Sequence, residues 1–338
     1  MVRKSLFVVM LLAIAAPLAA QDELVWSSKR PDAQAPFGVM GGQLLEMGEF
    51  QFTYRFSQLA SKGVWFEKDS LALETSLDYY PVVPLAMDNL THWVGLAYAP
   101  SEDLTLMANF SYSRRHREQL TQEGIFYVTE SDQLGDLEIS GLYSAFEEGP
   151  YRAHLQLGAT IPTGEVDATA ETPYSSPGVE ALPYDQRAGA GTFALSPGLT
   201  VLAQNDAGTV GAQVRGTFYM GTNSADFSLG DRYEFNGWAA YRVNRYISVS
   251  GRMAYQTWDG IEGADPALDP VRDPGNDAYF LGGSRLDLPV GLNIYMPENT
   301  RFAGHRLSVE YFHPVSQTYD GPQLGADWGV VVGWQVAF

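Results

Sequence analysis

The chain has 338 residues, of which 40 are acidic and 21 basic, and its formal net charge is −19 at pH 7. This charge argues against DNA or RNA as a partner, because nucleic-acid binding depends on neutralising phosphates. Cysteine is absent, which excludes disulfide bonds and thiol chemistry.

The N-terminus has the pattern of a secretory signal peptide. Two basic residues, at positions 3 and 4, precede an apolar run from Leu6 to Leu18, and two alanines follow. A basic region, a short apolar region and small residues are typical of a cleaved export signal. The run is too short for a transmembrane helix of about twenty residues. We therefore predict that residues 1–20 are removed and that the mature chain is exported.

Hydropathy favours a barrel over a helical membrane protein. No later segment is an uncharged apolar run of about eighteen residues, and the mean hydropathy is −0.14. In hydrocarbon, only helices and closed barrels satisfy every backbone N–H and C=O group. A membrane protein with this hydropathy is therefore a β-barrel, because half of each strand faces the lumen.

Residues 21–46 contain proline and glycine and lack periodicity, as in "RPDAQAPFGVMGG". Such a composition is typical of a loop. We predict a periplasmic N-terminal segment that precedes the barrel. The alternative is a segment that folds inward and narrows the lumen.

Alternation of apolar and polar residues begins after residue 47 and recurs to the C-terminus. In the first strand, aromatic residues at positions 50, 52, 54 and 56 share one face, and Gln51, Thr53 and Arg55 share the other. The polar stretches at about 57–89 and at "RRHREQLTQEG" are predicted loops. We predict an all-β fold: a transmembrane antiparallel up-and-down β-barrel of about twelve strands, spanning residues 47–338.

The predicted connections alternate between long and short. The short ones are "PSED", "EEGP", "NDAG" and Asn244-Arg245. In bacterial barrels the short turns lie in the periplasm and the long loops outside the cell. We therefore expect a cell outer-membrane protein with both termini in the periplasm.

The stretch Asp327–Phe338 carries the clearest strand pattern. One face is wholly apolar with aromatics at both ends, and the other is small or polar, as lipid outside and a crowded lumen inside require. A strand on a soluble core is the alternative, and the export signal counts against it. A closing strand that ends in an aromatic resembles the assembly signal of bacterial barrels, carried here by Trp334, Val336 and Phe338. The expected partners are the barrel-assembly machinery, outer-membrane lipid and lipopolysaccharide.

The predicted inward faces carry many ionisable residues of both signs. Buried charges are tolerated when they are paired or hydrated, so one interpretation is an ion-paired, water-filled lumen that keeps the wall rigid. The other is a path for small-molecule solutes that carry carboxylate or phenolate groups, which guanidinium groups bind. The predicted lumen-facing residues are Arg55, Asp136, Glu138, Arg152, His154, Arg215, Arg232, Glu234, Arg242, Arg252, Arg285, Asp287, Arg306 and Glu310.

The predicted loop from Trp258 to Tyr279 carries six aspartate and glutamate residues. Closely spaced carboxylates can hold Ca²⁺, but these lack the order of an EF-hand. We predict a solvated extracellular face, with loose divalent binding as the alternative. No metal site and no cofactor are predicted.

Catalysis is the least favoured interpretation. The chain has five histidines and no Gly-x-Ser-x-Gly sequence, and no nucleophile, base and orienting group come together on one predicted face. We therefore predict no catalytic residue, and an outer-wall hydrolase remains as a minor alternative.

Several segments resemble a known family. They include "LGDLEISGLY" at 134–143, "LQLGATIPTG" at 155–164 and the C-terminal "DGPQLGADWGVVVGWQVAF". The chain resembles the outer-membrane phenol-degradation (meta-pathway) proteins, also called transporters. The resemblance implies a barrel that passes hydrophobic or aromatic compounds, and it implies no catalytic residue. We predict a channel for passive passage of small hydrophobic, aromatic or anionic solutes; the alternative is a structural or adhesive barrel with a plugged lumen.

Overall fold

The computed structural model describes residues 26–175 and 177–338. The predicted signal peptide, residues 1–20, lies outside the described residues. No helix in the described part of the chain is long and apolar enough to cross a membrane.

Twelve long strands form the wall of a closed barrel. Each strand pairs antiparallel with the next along the chain, and the last pairs with the first. The predicted fold class, a twelve-stranded antiparallel barrel, is confirmed. The strands are β1 Phe50–Glu67, β2 Val82–Ser101, β3 Leu104–Thr121, β4 Leu137–Glu148, β5 Tyr151–Ile161, β6 Phe193–Gln204, β7 Gly208–Met220, β8 Arg232–Arg242, β9 Ile247–Trp258, β10 Val290–Tyr295, β11 His305–Phe312 and β12 Pro314–Ala337.

Shorter elements extend this wall or lie in the connections. Phe126–Leu134 pairs with the outer half of β3, and Gly283–Asp287 pairs with β9 and with the start of β12. One short helix, α1, spans Leu73–Tyr79. The connections also contain 3₁₀ turns at Tyr184–Gln186, Pro274–Asn276 and Ala278–Phe280, and two-residue strands at Asp69–Ser70, Thr169–Ala170, Glu180–Ala181, Phe227–Ser228 and Glu262–Gly263.

The two faces of the wall follow the alternation in the sequence. In β1, Phe50 is exposed and Gln51 is buried; in β12, Val332 is exposed while Val331 and Gln335 are buried. Successive side chains of a strand point to opposite sides, so the apolar row faces lipid and the polar row faces the interior. The predicted faces are therefore correct where the strands lie at membrane height.

The two ends of the barrel differ in their connections. At the short-turn end, asparagines close the turns: the Asn205 Oδ1 atom accepts from the N–H groups of Ala207 and Gly208, each at 2.9 Å. Such side-chain hydrogen bonds are how asparagine stabilises tight turns. At the opposite, long-loop end, the connections include residues 162–192 and 259–282.

Two predicted loops are wrong. Residues 57–67 and 82–89 belong to β1 and β2, and the charged sequence at 114–121 belongs to β3. These strands continue past the apolar zone, where the outer face becomes charged too. Both faces are then polar, and the apolar alternation that marks a strand in lipid disappears. The wall is therefore taller than predicted on this side.

Candidate functional site

The N-terminal segment, residues 26–49, runs into the barrel from the short-turn end and returns to it. Trp26 N–H donates to the Gly149 carbonyl (3.3 Å), and Gly48 N–H donates to the Ala99 carbonyl (2.8 Å), so both ends of the segment are held near short turns. Between them the chain rises into the lumen. The prediction of a periplasmic segment outside the barrel is wrong for the described residues, and the inward-folded alternative is what the structure shows.

Polar wall residues hold the tip of this segment. The Gly41 carbonyl accepts from His154 Nε2 (2.8 Å), and the Met40 carbonyl accepts from Gln213 Nε2 (2.8 Å). Gly38 N–H donates to the Glu310 carboxylate. The tip has no regular secondary structure, so wall side chains must satisfy its backbone groups.

Apolar contacts add to this attachment. Ala35 and Val39 pack against Leu202 and Trp238 of the wall. The Phe37 ring lies against Gly333 of β12, where any Cβ would overlap the ring. Glycine in the inward row of β12 therefore makes room for the N-terminal segment.

Predicted lumen residues meet at mid-height as two ion pairs. Arg252 Nε lies 3.1 Å from Glu310 Oε1, and Arg215 Nη2 lies 2.7 Å from Glu138 Oε1. Glu234 is farther from Arg215, at 3.9 Å. Five of the predicted residues thus form one inward-facing charged cluster, as buried charges require.

Arg55 lies beside this cluster without a carboxylate of its own. Its Nη1 atom contacts the Met40 sulfur, and its guanidinium lies 5.9 Å from the centre of the Phe37 ring. Its Nε atom is buried and has no hydrogen-bond partner in the described structure. A thioether is a weak acceptor, so this cation is poorly compensated.

Other predicted residues also face inward but serve local contacts. Arg285 Nε donates to Asp287 (3.0 Å), and Arg306 donates to two backbone carbonyls of the N-terminal segment. Asp136 lies above β4 and accepts from the N–H groups of Gly164 and Ala190, both at 2.8 Å. Asp136 therefore anchors a long loop instead of lining a passage.

Three predicted lumen residues lie at the rims. Arg152, at the short-turn end, stacks on the Trp26 ring at 5.8 Å. Arg242 donates to the carbonyl of residue 206 in a neighbouring short turn (2.6 Å), and Arg232 is exposed at the long-loop end. These three residues lie on the inward row of their strands, but at or next to the strand ends, so their place along a solute path stays a prediction.

Two long loops cover the other end of the barrel, and we call residues 162–192 and 259–282 the loop cap. Arg117 of β3, which is completely buried, binds Asp273 through both terminal nitrogens at 2.7 and 2.8 Å. Its Nε also lies 3.3 Å from Asp185. One arginine of the wall thus holds both loops. Residue patterning missed it because the sequence around Arg117 resembles a loop.

The loop cap packs, together with Phe227 from the connection between β7 and β8, around an apolar core, and it contains a second buried ion pair. Tyr184, Phe227, Ile261 and Leu268 pack together there, and Arg187 binds Asp265 at 2.7 Å. The prediction of a solvated acidic face is therefore wrong for Asp265 and Asp273, which are buried and paired. Among the described residues, no group of three or more acidic or histidine side chains is placed to hold a metal ion.

The cap also contains a carboxyl group in an unfavourable position. Asp185 is partly buried, and its Oδ1 atom has no hydrogen-bond partner in the described structure. Burial raises the pKa of Asp185, because the charged form loses hydration. Arg117 opposes this shift, while the neighbouring Asp273 adds to it.

Four of the five histidines form hydrogen bonds in the described structure. His92 bonds Tyr54, His116 bonds Glu130, and His305 bonds Trp334, while His154 holds the N-terminal segment as described above. None of these bonds joins a histidine to a hydroxyl nucleophile of serine or threonine.

No family model matches the sequence, and no curated protein matches it. Among solved structures, the fold is similar to that of an outer-membrane channel from Pseudomonas putida F1, with a TM-score of 0.59, 10% identity, and coverage of 89% of this chain and 99% of that chain. The translocator domain of the autotransporter NalP from Neisseria meningitidis gives a TM-score of 0.49, 10% identity and coverage of 87% and 90%. The chain therefore has the fold of an outer-membrane β-barrel.

Proposed function

We propose that this protein is an outer-membrane channel for small solutes, seen here in a closed conformation. One observation carries the proposal: the interior is lined by polar side chains whose buried atoms are left without partners. They include Gln156 Oε1, Asn293 Oδ1 and Ser308 Oγ in the described structure. Buried polar groups are normally paired with protein or water, so this interior favours a hydrated path over a dry structural core.

The N-terminal segment is the proposed gate. It enters from one end and is held mainly by hydrogen bonds to the wall, such as those of His154 and Gln213. Each such bond contributes only about 0.5–1.5 kcal/mol to stability. Withdrawal of the segment toward the short-turn end would leave the strands and their pairing unchanged.

The charges of the lumen favour anionic solutes over hydrophobic ones. Arg55, Arg215 and Arg252 lie at mid-height, where a passing solute would meet guanidinium groups that bind carboxylate or phenolate oxygens. An apolar solute would gain nothing from this lining. The resemblance to phenol-degradation proteins agrees with a phenolate or aromatic acid, provided that the gate has moved.

A structural barrel with a plugged lumen is the second candidate, and the covered state of both ends favours it. Planar-bilayer recording of the full mature chain separates the two functions. A channel gives discrete conductance steps that become more frequent when the N-terminal segment is loosened. A structural barrel stays silent in the wild type and in such variants. An esterase assay in detergent tests the remaining hydrolase alternative.

We also propose that the long-loop end faces the cell exterior. Gly263 lies exposed in the loop cap, so protease added to intact cells should cut there. Cleavage at the short turn near Glu148 in intact cells would reverse the orientation. The outward Arg114 and His116, above the aromatic rows, would then face lipopolysaccharide.

Phe338 is the proposed recognition point for the assembly machinery. Its N–H donates to the Phe50 carbonyl and its carbonyl accepts from Phe50 N–H, both at 2.9 Å, and its side chain is exposed toward lipid. Deletion of Phe338 should lower the amount of heat-modifiable barrel in outer membranes. An unchanged folded yield would contradict this role.

A further inference from the structure

We propose that a small cavity beside Arg55 is a binding site for a small carboxylate of about the size of formate or acetate. The cavity lies between the N-terminal segment and strands β1, β2, β3 and β12. The inference rests on the proposed channel function for its biological role, but its chemistry depends only on the lining of the cavity.

The lining of the cavity has one cation and no carboxylate. Arg55 supplies the charge, and the remaining polar groups are neutral amides and a hydroxyl. A site with this composition has a positive potential, which an anion relieves. The neutral polar residues that line it are Gln34, Gln43, Gln51, Thr53, Asn109 and Gln335.

The carboxylates nearest to Arg55 are already bound to other groups. Glu310 accepts from Arg252 and from the Gly38 N–H, and Glu138 accepts from Arg215. No carboxylate lies within ion-pair distance of Arg55 among the described residues. Its buried Nε atom has no partner there either. The guanidinium of Arg55 is therefore a buried donor that lacks an anionic acceptor.

A chain of hydrogen bonds directs a second donor into the same region. Gln43 Nε2 donates to Gln51 Oε1 (2.8 Å), and Gln51 Nε2 donates to Thr53 Oγ1 (2.9 Å). Because Thr53 Oγ1 accepts from Gln51, its own proton remains to be donated. Each bond polarises the next, so the hydroxyl of Thr53 becomes a better donor to an anion.

The size and shape of the site select a small carboxylate. The cavity measures about 60 Å³, which exceeds the roughly 10–15 Å³ that one water needs but is far below the roughly 150 Å³ of a cavity that holds benzene. An aromatic acid therefore does not fit unless the N-terminal segment moves. The two oxygens of a carboxylate match the fork of a guanidinium, whereas a halide offers a single centre.

An occupant of this cavity would touch both the gate and the wall. Phe37 and Met40 line it from the N-terminal segment, and Gln51 and Thr53 line it from β1. A bound carboxylate would therefore add contacts that exist only while the segment is in place. In this way a small anion would stabilise the closed conformation.

Calorimetric titration of the folded chain in detergent tests the site, with sodium acetate, acetamide and sodium chloride as probes. Acetate should bind and acetamide should not, because it has the same shape but no charge. Arg55→Gln should weaken acetate binding by about tenfold or more, as expected for the loss of a charge-assisted hydrogen bond. Arg114→Gln, which removes an exposed arginine from the outer face of β3, should leave binding unchanged.

Three results would overturn the assignment: equal binding of acetate and acetamide, chloride binding as tight as acetate, or unchanged acetate binding by Arg55→Gln. If Arg55→Gln does not fold, Thr53→Val removes the second donor at nearly constant volume and should also weaken acetate binding. Conductance recorded on the same preparations separates the two proposals. Acetate binding without conductance rejects the channel alone, and conductance without acetate binding rejects the site alone.

Discussion

The two obstructions of this barrel are built in different ways. The loop cap at the long-loop end is held by buried ion pairs, Arg117–Asp273 and Arg187–Asp265, around an apolar core. The N-terminal segment at the short-turn end is held largely by hydrogen bonds between its backbone groups and wall side chains. A buried ion pair is costly to break on one side only, whereas single hydrogen bonds are weak.

This difference identifies which obstruction is the gate. Opening of the loop cap requires that buried charges be separated and rehydrated. The N-terminal segment can detach one bond at a time. We therefore expect thermal opening to begin at the short-turn end.

Loss of Arg117 should have the largest effect. Arg117→Met leaves Asp273 buried without its cation and removes from Asp185 one of the two arginines that face it. Breaking a buried pair in this way costs about 3–5 kcal/mol. The loop cap should then become sensitive to protease at Gly263, and conductance should rise. Both are measured on protein reconstituted in liposomes.

The matched control is Arg114→Met on the same strand. Arg114 faces outward, its side chain is 55% exposed, and its ion pairs to Glu130 and Asp132 are long, at 3.5 and 3.4 Å. Such exposed pairs contribute at most about 1 kcal/mol. Equal protease sensitivity in the two variants would show that Arg117 does not hold the loop cap.

Both obstructions contact the interior face of the wall, and Leu288→Arg tests which residues form the interior and lipid-facing sides. Leu288 is exposed on the outer wall, level with the middle of β9. A charge there should cost about 2–4 kcal/mol at the bilayer midplane. The neighbouring Asp287→Asn should cost less, because the amide oxygen still accepts from Arg285, and it should change ion selectivity. Urea titration in lipid vesicles measures the stability of both variants. The reverse order of stability would show that the inward and outward faces are assigned the wrong way round.

Loosening the N-terminal segment should have a smaller effect on stability and a clear effect on conductance. Gly333→Ala places a Cβ where the Phe37 ring lies, and such overpacking costs about 1–3 kcal/mol. The segment should leave the lumen more often, so that single-channel openings become more frequent. Gly251→Ala is the control, because its Cβ meets open space. Unchanged opening in Gly333→Ala would argue that the segment does not gate the lumen.

The sequence predicts the wall well and its contents poorly, for a physical reason. Lipid on one side of the wall requires apolar and polar residues to alternate with a period of two. The face on which a residue such as Leu288 lies can therefore be predicted from the sequence. Above the bilayer that constraint ends. Arg115 and Arg117 continue the inward polar row of β3, but the outward Arg114 and His116 are polar as well. In this part of β3, inward arginines still alternate with outward residues, and this alternation is a sequence signal for a strand. A search for alternating apolar residues does not detect it, because both faces are polar.

The contents of the lumen have no such period. The contact of Phe37 with Gly333 and that of Gly41 with His154 join residues far apart in sequence. Nothing in the local pattern of residues 26–49 encodes these partners. The ion pairs of the lumen were foreseen as a class, because buried charges need partners, but the isolation of Arg55 depends on three-dimensional placement.

The smallest expected effect is a dependence of the loop cap on pH through Asp185. Its raised pKa means that the closed cap favours the protonated carboxyl. The stabilising contribution is complete below the pKa of the unfolded state and is lost as pH rises through the raised value. The side chain is 23% exposed, which limits the size of the effect.

Protease cleavage at Gly263 should therefore slow as pH falls from about 7 to about 4. The charged groups that face Asp185, namely Arg115, Arg117 and Asp273, remain in place in Asp185→Asn, which should abolish this dependence on pH. A cap that is cleaved faster in acid, or an unchanged pH profile in Asp185→Asn, would contradict this role and assign the acid response to other carboxylates of the cap.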